Sequence, residues 1–167
     1  MKRLEPPDLH SLTAAMGWLE LGDSAEALAE LDRIGPDHQQ HPDVLEARWM
    51  IHAERHDWAA ALESARTLTV RLPARASGWL HLSYALRRVA GGGLEQAWQA
   101  LSEVADRFPK ETIVPYNLAC YTCQLGRKEE ALEWFQRALA MGGKERLKTM
   151  GLADPDLEPL WETIRAL

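Results

Sequence analysis

The sequence predicts an all-α fold, a solenoid of about four helix–turn–helix units closed by a C-terminal helix, and three observations carry that expectation. Apolar positions recur along the chain in steps of 34, 36 and 34 residues. Each period holds two amphipathic stretches with helical spacing of their apolar residues. Turn-forming residues separate the two stretches. A fixed period of this length is the mark of stacked repeats, because one helix pair cannot bury its apolar face alone and needs the next pair against it.

The register is set by the pairs Ala27-Leu28, Ala61-Leu62, Ala97-Trp98 and Ala131-Leu132. Leu31, Ala65, Leu101 and Phe135 keep step with them, as do Ile34, Leu68, Val104 and Ala138. Upstream of each pair a second helix ends at Gly22-Asp23, at His56-Asp57, at Gly91-Gly92-Gly93 and at Gly126-Arg127. Glycine in such a turn takes the left-handed conformation that ends a helix, so each unit reads as helix A, short turn, helix B. The two extra residues of the 36-residue step fall at the triple glycine, where they lengthen a loop without moving the packed faces. Pro73 and Pro109 stand where the second and third units end. The units span about 8–41, 42–75, 76–111 and 112–143 of a single domain, and 144–167 forms the cap. Within the cap Leu157, Leu160, Trp161 and Ile164 lie at helical intervals.

Bulk properties narrow the function classes. With 25 acidic and 19 basic residues the net charge is -6, which opposes nucleic acid and anionic membrane surfaces as partners. No apolar run approaches the roughly 18 residues of a membrane span, and charge and proline in Met1-Lys2-Arg3-Leu4-Glu5-Pro6-Pro7-Asp8 break any signal-peptide core. A cytoplasmic location is expected. Two cysteines in 167 residues make no disulfide framework.

Here the chain resembles the tetratricopeptide-repeat (TPR) family, whose unit is a 34-residue helix pair. Trp79, Leu82 and Ser83 match the large, large, small positions of helix A in the third unit, and Ala97, Leu101, Val104 and Pro109 match helix B. The fourth unit matches through Tyr116-Asn117-Leu118-Ala119, Gly126, Ala131, Phe135 and Ala138. The second unit departs, with Trp49 where a small residue is usual and Arg48 where leucine is usual. The C-terminal segment is similar to the closing helix found after many bacterial repeats of this kind.

The resemblance implies a non-enzymatic protein-binding adaptor without cofactor, whose A helices line a concave groove for a peptide or partner protein. Carried over by register, that groove consists of Leu12, Met16, Glu46, Met50, Glu54, His81, Tyr84, Arg87, Arg88, Tyr116, Asn117, Cys120 and Gln124. Tyr84 and Tyr116 beside Arg87 and Arg88 imply a ligand with an apolar anchor and an acidic group. The Lys/Asn set with which some members hold chaperone C-terminal tails is not matched: Leu12, Met16, Ala47, Ser77 and His81 stand there in one frame. A dedicated chaperone of a secretion system or multiprotein complex is the alternative of similar size and acidity.

A third reading places thiol or metal chemistry at Cys120-Tyr121-Thr122-Cys123. Both cysteines fall in the middle and late turns of a helix, away from the N-terminal dipole that activates redox thiols. Helix positions three apart also hold Cβ atoms about 5–6 Å apart, too far for an undistorted disulfide, and no second cysteine pair completes a zinc site. His52 and His56 are four apart, but Glu54 lies midway between them, unlike a zinc-protease motif. Lys144 after Gly142-Gly143 lacks the rest of a phosphate loop. The seven tryptophans occupy different helix positions and read as packing residues.

Overall fold

The computed structural model describes residues 3–167; Met1 and Lys2 of the charged N-terminal segment lie outside the described residues. Among these residues there are ten α-helices, three short 3₁₀ segments and no strand. No helix among them is long and apolar enough to cross a membrane. The helices are α1 (Asp8–Glu20), α2 (Ser24–Asp32), α3 (Pro42–Glu54), α4 (Trp58–Arg71), α5 (Ala76–Leu86), α6 (Leu94–Ser102), α7 (Ile113–Gln124), α8 (Lys128–Met141), α9 (Lys144–Ala153) and α10 (Trp161–Ala166). They form two compact units, Met1–Ala90 and Gly91–Leu167, so the division falls within the segment read as the third repeat.

The pairs α1/α2, α3/α4 and α7/α8 are joined by the same device. Each A helix ends in a three-residue turn whose middle residue has positive φ: Gly22 at 81°, His56 at 55° and Gly126 at 79°. Two backbone bonds close the turn. Gly22 N–H reaches the Leu19 carbonyl at 3.0 Å and Asp23 N–H the Trp18 carbonyl at 2.9 Å. His56 and Asp57 repeat this onto Ala53 and His52, at 3.0 and 2.8 Å, and Gly126 and Arg127 onto Cys123 and Thr122, at 3.0 and 2.9 Å. This is the double bond of a Schellman cap, which satisfies carbonyls that the helix end would leave open. The residue after the turn then starts the B helix. The carboxylate of Asp23 accepts from Glu26 N–H and that of Asp57 from Ala60 N–H, the usual N-cap role. Arg127 cannot cap in this way; its guanidinium pairs with Glu95 at 2.7 Å and lies 4.7 Å from the Trp98 ring centroid.

The register residues are the core. Ala27, Leu31, Ile34, Ala61, Ala65, Leu68, Ala97, Leu101, Val104, Ala131, Phe135 and Ala138 are all buried, none more than 6% exposed. In the first unit Leu31, Ile34, Val44 and Ile51 join α1, α2 and α3, with Leu9, Leu12, Met16 and Leu19 packed on them. Ala61, Leu62 and Ala85 join α4 to α5, flanked by Trp49, Trp58 and Leu82. An Asp8 carboxylate ties the start of α1 to the loop after α2, accepting from Gly35 N–H at 2.9 Å and lying 2.6 Å from His38 Nδ1. These hydrogen bonds, Gly35 foremost, hold the Asp8 carboxyl below its ordinary pKa. Trp79, one of the residues that carry the TPR resemblance, is only half-buried and donates Nε1–H to the Pro73 carbonyl at 3.0 Å.

The second unit is built on Phe135 of α8. Tyr116, Ala119, Cys120 and Cys123 of α7 meet Leu147 of α9 and Leu157, Leu160 and Ile164 of the C-terminal segment in the same cluster. Where one closing helix is expected over 144–167, the chain forms α9, a 3₁₀ segment Pro155–Leu160 and α10. Pro155 opens the 3₁₀ segment and Pro159 lies within it. Neither can donate a backbone bond, so an α-helix does not run through. Trp161 Nε1–H bridges the break to the Gly151 carbonyl at 3.0 Å.

Two substitutions test these contacts. His56→Gly is expected to raise unfolding free energy by about 0.5–1 kcal/mol in denaturant titration, because a side chain at positive φ is strained where glycine is not. A loss of stability would show that His56 contributes more by its contact with Trp58, 5.7 Å between ring centroids, than it costs. Gly151→Ala is expected to lose about 1–3 kcal/mol, since a Cβ there would stand 2.9 Å from the fully buried Phe135 ring. An unchanged melting temperature would mean that α9 shifts freely on α8.

Candidate functional site

The C-terminal ends of α1, α3 and α5 come together in the first unit around a cleft of about 730 Å³. Leu19 and Glu20 of α1, Trp49, Met50 and Glu54 of α3, Trp58 at the head of α4, and Tyr84 and Arg88 at the end of α5 line it. The Schellman turns place these ends side by side, with Gly22 and His56 themselves on the wall. Met50 is 43% and Tyr84 38% exposed, so the cleft joins two large apolar side chains open to solvent.

The aromatic groups are held in fixed orientation. Trp49 stacks on His81 at 3.8 Å between ring centroids and 15° between planes, and meets Tyr84 edge-on at 5.8 Å. Trp58 meets the other side of Tyr84 at 5.8 Å. The Arg88 guanidinium lies 3.5 Å from the Tyr84 ring centroid and 5.3 Å from that of Trp58, and donates to the Tyr84 carbonyl at 3.3 Å. Trp49 therefore serves a purpose in the second unit's departure from the repeat pattern: the bulky ring builds the cleft wall. Its buried indole N–H has no hydrogen-bond partner.

The expected groove residues divide into three groups. Met50, Glu54, Tyr84 and Arg88 share the cleft. Glu46 is engaged within the fold, accepting from Ser77 Oγ at 2.6 Å and from Arg75 at 3.3 Å, while His81 is committed to the Trp49 stack and Met16 packs into the core. Arg87 caps α5, its N–H bonded to the Ser83 carbonyl at 3.0 Å.

The α7 residues belong elsewhere. Tyr116 and Cys120, read as groove-lining, are 4% and 3% exposed, and both point at the Asp154 carboxylate, at 2.9 Å from Tyr116 Oη and 3.5 Å from Cys120 Sγ. Gln124 donates to the Asp156 carbonyl at 3.1 Å, and Asn117 is half-buried in the same helix. The chain's own C-terminal segment covers Tyr116 and Cys120 and leaves Gln124 exposed at its edge. Leu19, Glu20 and Trp58, which register alone did not select, complete the first-unit cleft; the signal for Trp58 was its place directly after the His56-Asp57 turn.

Displaced pKa values here arise from burial. Burial, and then the Arg75 charge, push His81 down to about 4. Burial raises Tyr116 above its ordinary value, aided by Cys120 and Asp154, and burial raises the Cys123 thiol. His52 is lowered by burial, against the pull of Asp57. Each of these groups is moved toward its neutral form, the reverse of an activated thiolate. No cluster of three or more His, Cys, Asp or Glu side chains fit to hold a metal occurs among the described residues.

No family model and no curated protein sequence matches the chain. Solved structures do. The MamA RS-1 ArsTM double mutant is similar over 83% of this chain and 76% of its own, with 17% identity and a TM-score of 0.68. TTC0263, a thermophilic TPR protein in Thermus thermophilus, is similar over 95% of both chains, with 20% identity and a TM-score of 0.67. The fold is of the TPR type. MamA MSR-1 C2 shares that fold with a TM-score of 0.63 and 19% identity, over 78% of this chain and 74% of its own.

His81 supplies a test of the site's packing. Its folded pKa of about 4 lies below the ordinary 6.5, so between those values the unfolded chain binds more protons. Stability contributed by neutral His81 is full above pH 6.5 and falls as the pH drops toward 4, by roughly 3 kcal/mol at most. His81→Phe, which keeps a ring against Trp49, is expected to lose less stability than the natural chain between pH 7 and pH 4.5 in urea titration. Equal losses would show that His81 is solvated and the stack open.

Proposed function

We propose that this protein is a protein-binding module, not an enzyme, and that it holds an apolar side chain of a partner polypeptide in the cleft between the ends of α1, α3 and α5. The observation that carries this reading is the half-exposed Met50 and Tyr84 set against Leu19 and Trp58 in one concavity. Such a pocket, with aromatic and aliphatic walls and charged groups of Glu20, Glu54 and Arg88 on its lining, suits an anchor residue. The fold is compatible with that use, and the buried, neutral-leaning His81, Tyr116 and Cys123 favour binding over acid–base or thiol chemistry. The reading requires no cofactor.

Apolar contact supplies most of the affinity. A micromolar complex needs about 8 kcal/mol overall, whereas an exposed ion pair contributes about 0–1 kcal/mol. For a partner isolated on the immobilised chain, Tyr84→Ala is therefore expected to weaken binding at least tenfold in titration calorimetry, in the manner of a central anchor contact. Arg88→Ala is expected to change it by less, and raised salt only modestly. A partner whose affinity ignores both Tyr84→Ala and Met50→Ala would remove the cleft from consideration.

A further inference from the structure

We infer that the segment this cleft accepts is basic, presenting a lysine or arginine next to its apolar anchor; this rests on the protein-binding reading and replaces the acidic ligand expected from Arg87 and Arg88. Three features of the first unit point the same way. The cleft lies at the C-terminal ends of α1, α3 and α5, where the aligned peptide dipoles of each helix end in partial negative charge. Glu20 and Glu54, the last residues of α1 and α3, stand on its rim, and among the described residues neither is in an ion pair. The opposite dipole ends nearby, the starts of α2 and α4, are already offset by the Asp23 and Asp57 caps.

The third feature is the behaviour of Arg88. Its guanidinium lies 3.5 Å from the Tyr84 ring centroid and donates to the Tyr84 carbonyl. A cation of the chain itself thus occupies a place that ring faces and helix carbonyls make favourable for cations. Beside the Arg88 cation on Tyr84, the lining carries two carboxylates, Glu20 and Glu54. A partner lysine or arginine would lay its methylene stem along Met50 and Leu19 and bring its head group to Glu20 and Glu54. An acidic segment would meet those carboxylates and three helix C-termini, which repel it.

Random dodecapeptides displayed on phage and selected against the intact protein test both the charge and the place. The expected result is enrichment of sequences that pair an aromatic or aliphatic residue with lysine or arginine. Their synthetic forms should bind three- to tenfold more weakly to the Glu20→Gln/Glu54→Gln variant, by roughly the worth of two exposed ion pairs, and more weakly at raised salt. Arg88→Ala should leave binding unchanged or tighten it. Enriched acidic peptides that depend on Tyr84 would overturn the inference and leave the protein-binding reading standing. Peptides indifferent to Tyr84→Ala, or no enrichment at all, would overturn both.

Discussion

The left-handed residue in the three-residue turn between helices A and B is the constraint on which the rest depends. One residue at positive φ lets two N–H groups turn back onto the carbonyls of the helix just completed, and the residue after the turn heads the next helix. The connection is short and its backbone groups are satisfied. Because the turn is the same after α1, α3 and α7, the first alanine of each B-helix register pair arrives at the same depth, and Ala27, Ala61 and Ala131 are all fully buried. The turn also sets where function can lie. It brings the C-terminal ends of α1 and α3 to one edge of the first unit, where Leu19, Glu20, Met50 and Glu54 share a wall.

The second unit treats the corresponding helix differently. On α7 the A-helix face meets Leu157, Leu160 and Ile164 of the C-terminal segment. Asp154 then collects hydrogen bonds from Tyr116, Cys120 and Asp156 N–H. A half-buried carboxylate is favourable when its oxygens are satisfied, and here polar groups on both sides of the contact meet that need. The phenol and thiol that could have served a ligand are used to seat the end of the chain. The CxxC spacing is thereby explained as packing, with both thiols enclosed in the cluster around Phe135.

Electrostatics separates the cleft from a general apolar patch. Aromatic rings offer their negative faces, helix C-termini add partial negative charge, and Glu20 and Glu54, unpaired among the described residues, share the lining with Arg88. Arg88 lies against this field and reports its sign. The overall charge of -6 says nothing about this local arrangement, which is a matter of where three helices end.

Sequence by itself determined the helices, their pairing and the core register, because those depend on local quantities: a 3.6-residue apolar period, turn residues able to take positive φ, and prolines that stop a helix. The Ala27, Ala61, Ala97 and Ala131 series is legible without coordinates for that reason. Which A-helix residues stay exposed was decided only by tertiary structure. Register puts Tyr84 and Cys120 at equivalent places on their helices, yet Tyr84 is 38% exposed and Cys120 3%, since coverage depends on the C-terminal segment further along the chain. Arg88 on Tyr84, Glu46 on Ser77 and the break of 144–167 around Pro155 and Pro159 are likewise contacts between separate elements. A helical period reports which face of a helix is apolar and carries no record of what that face meets.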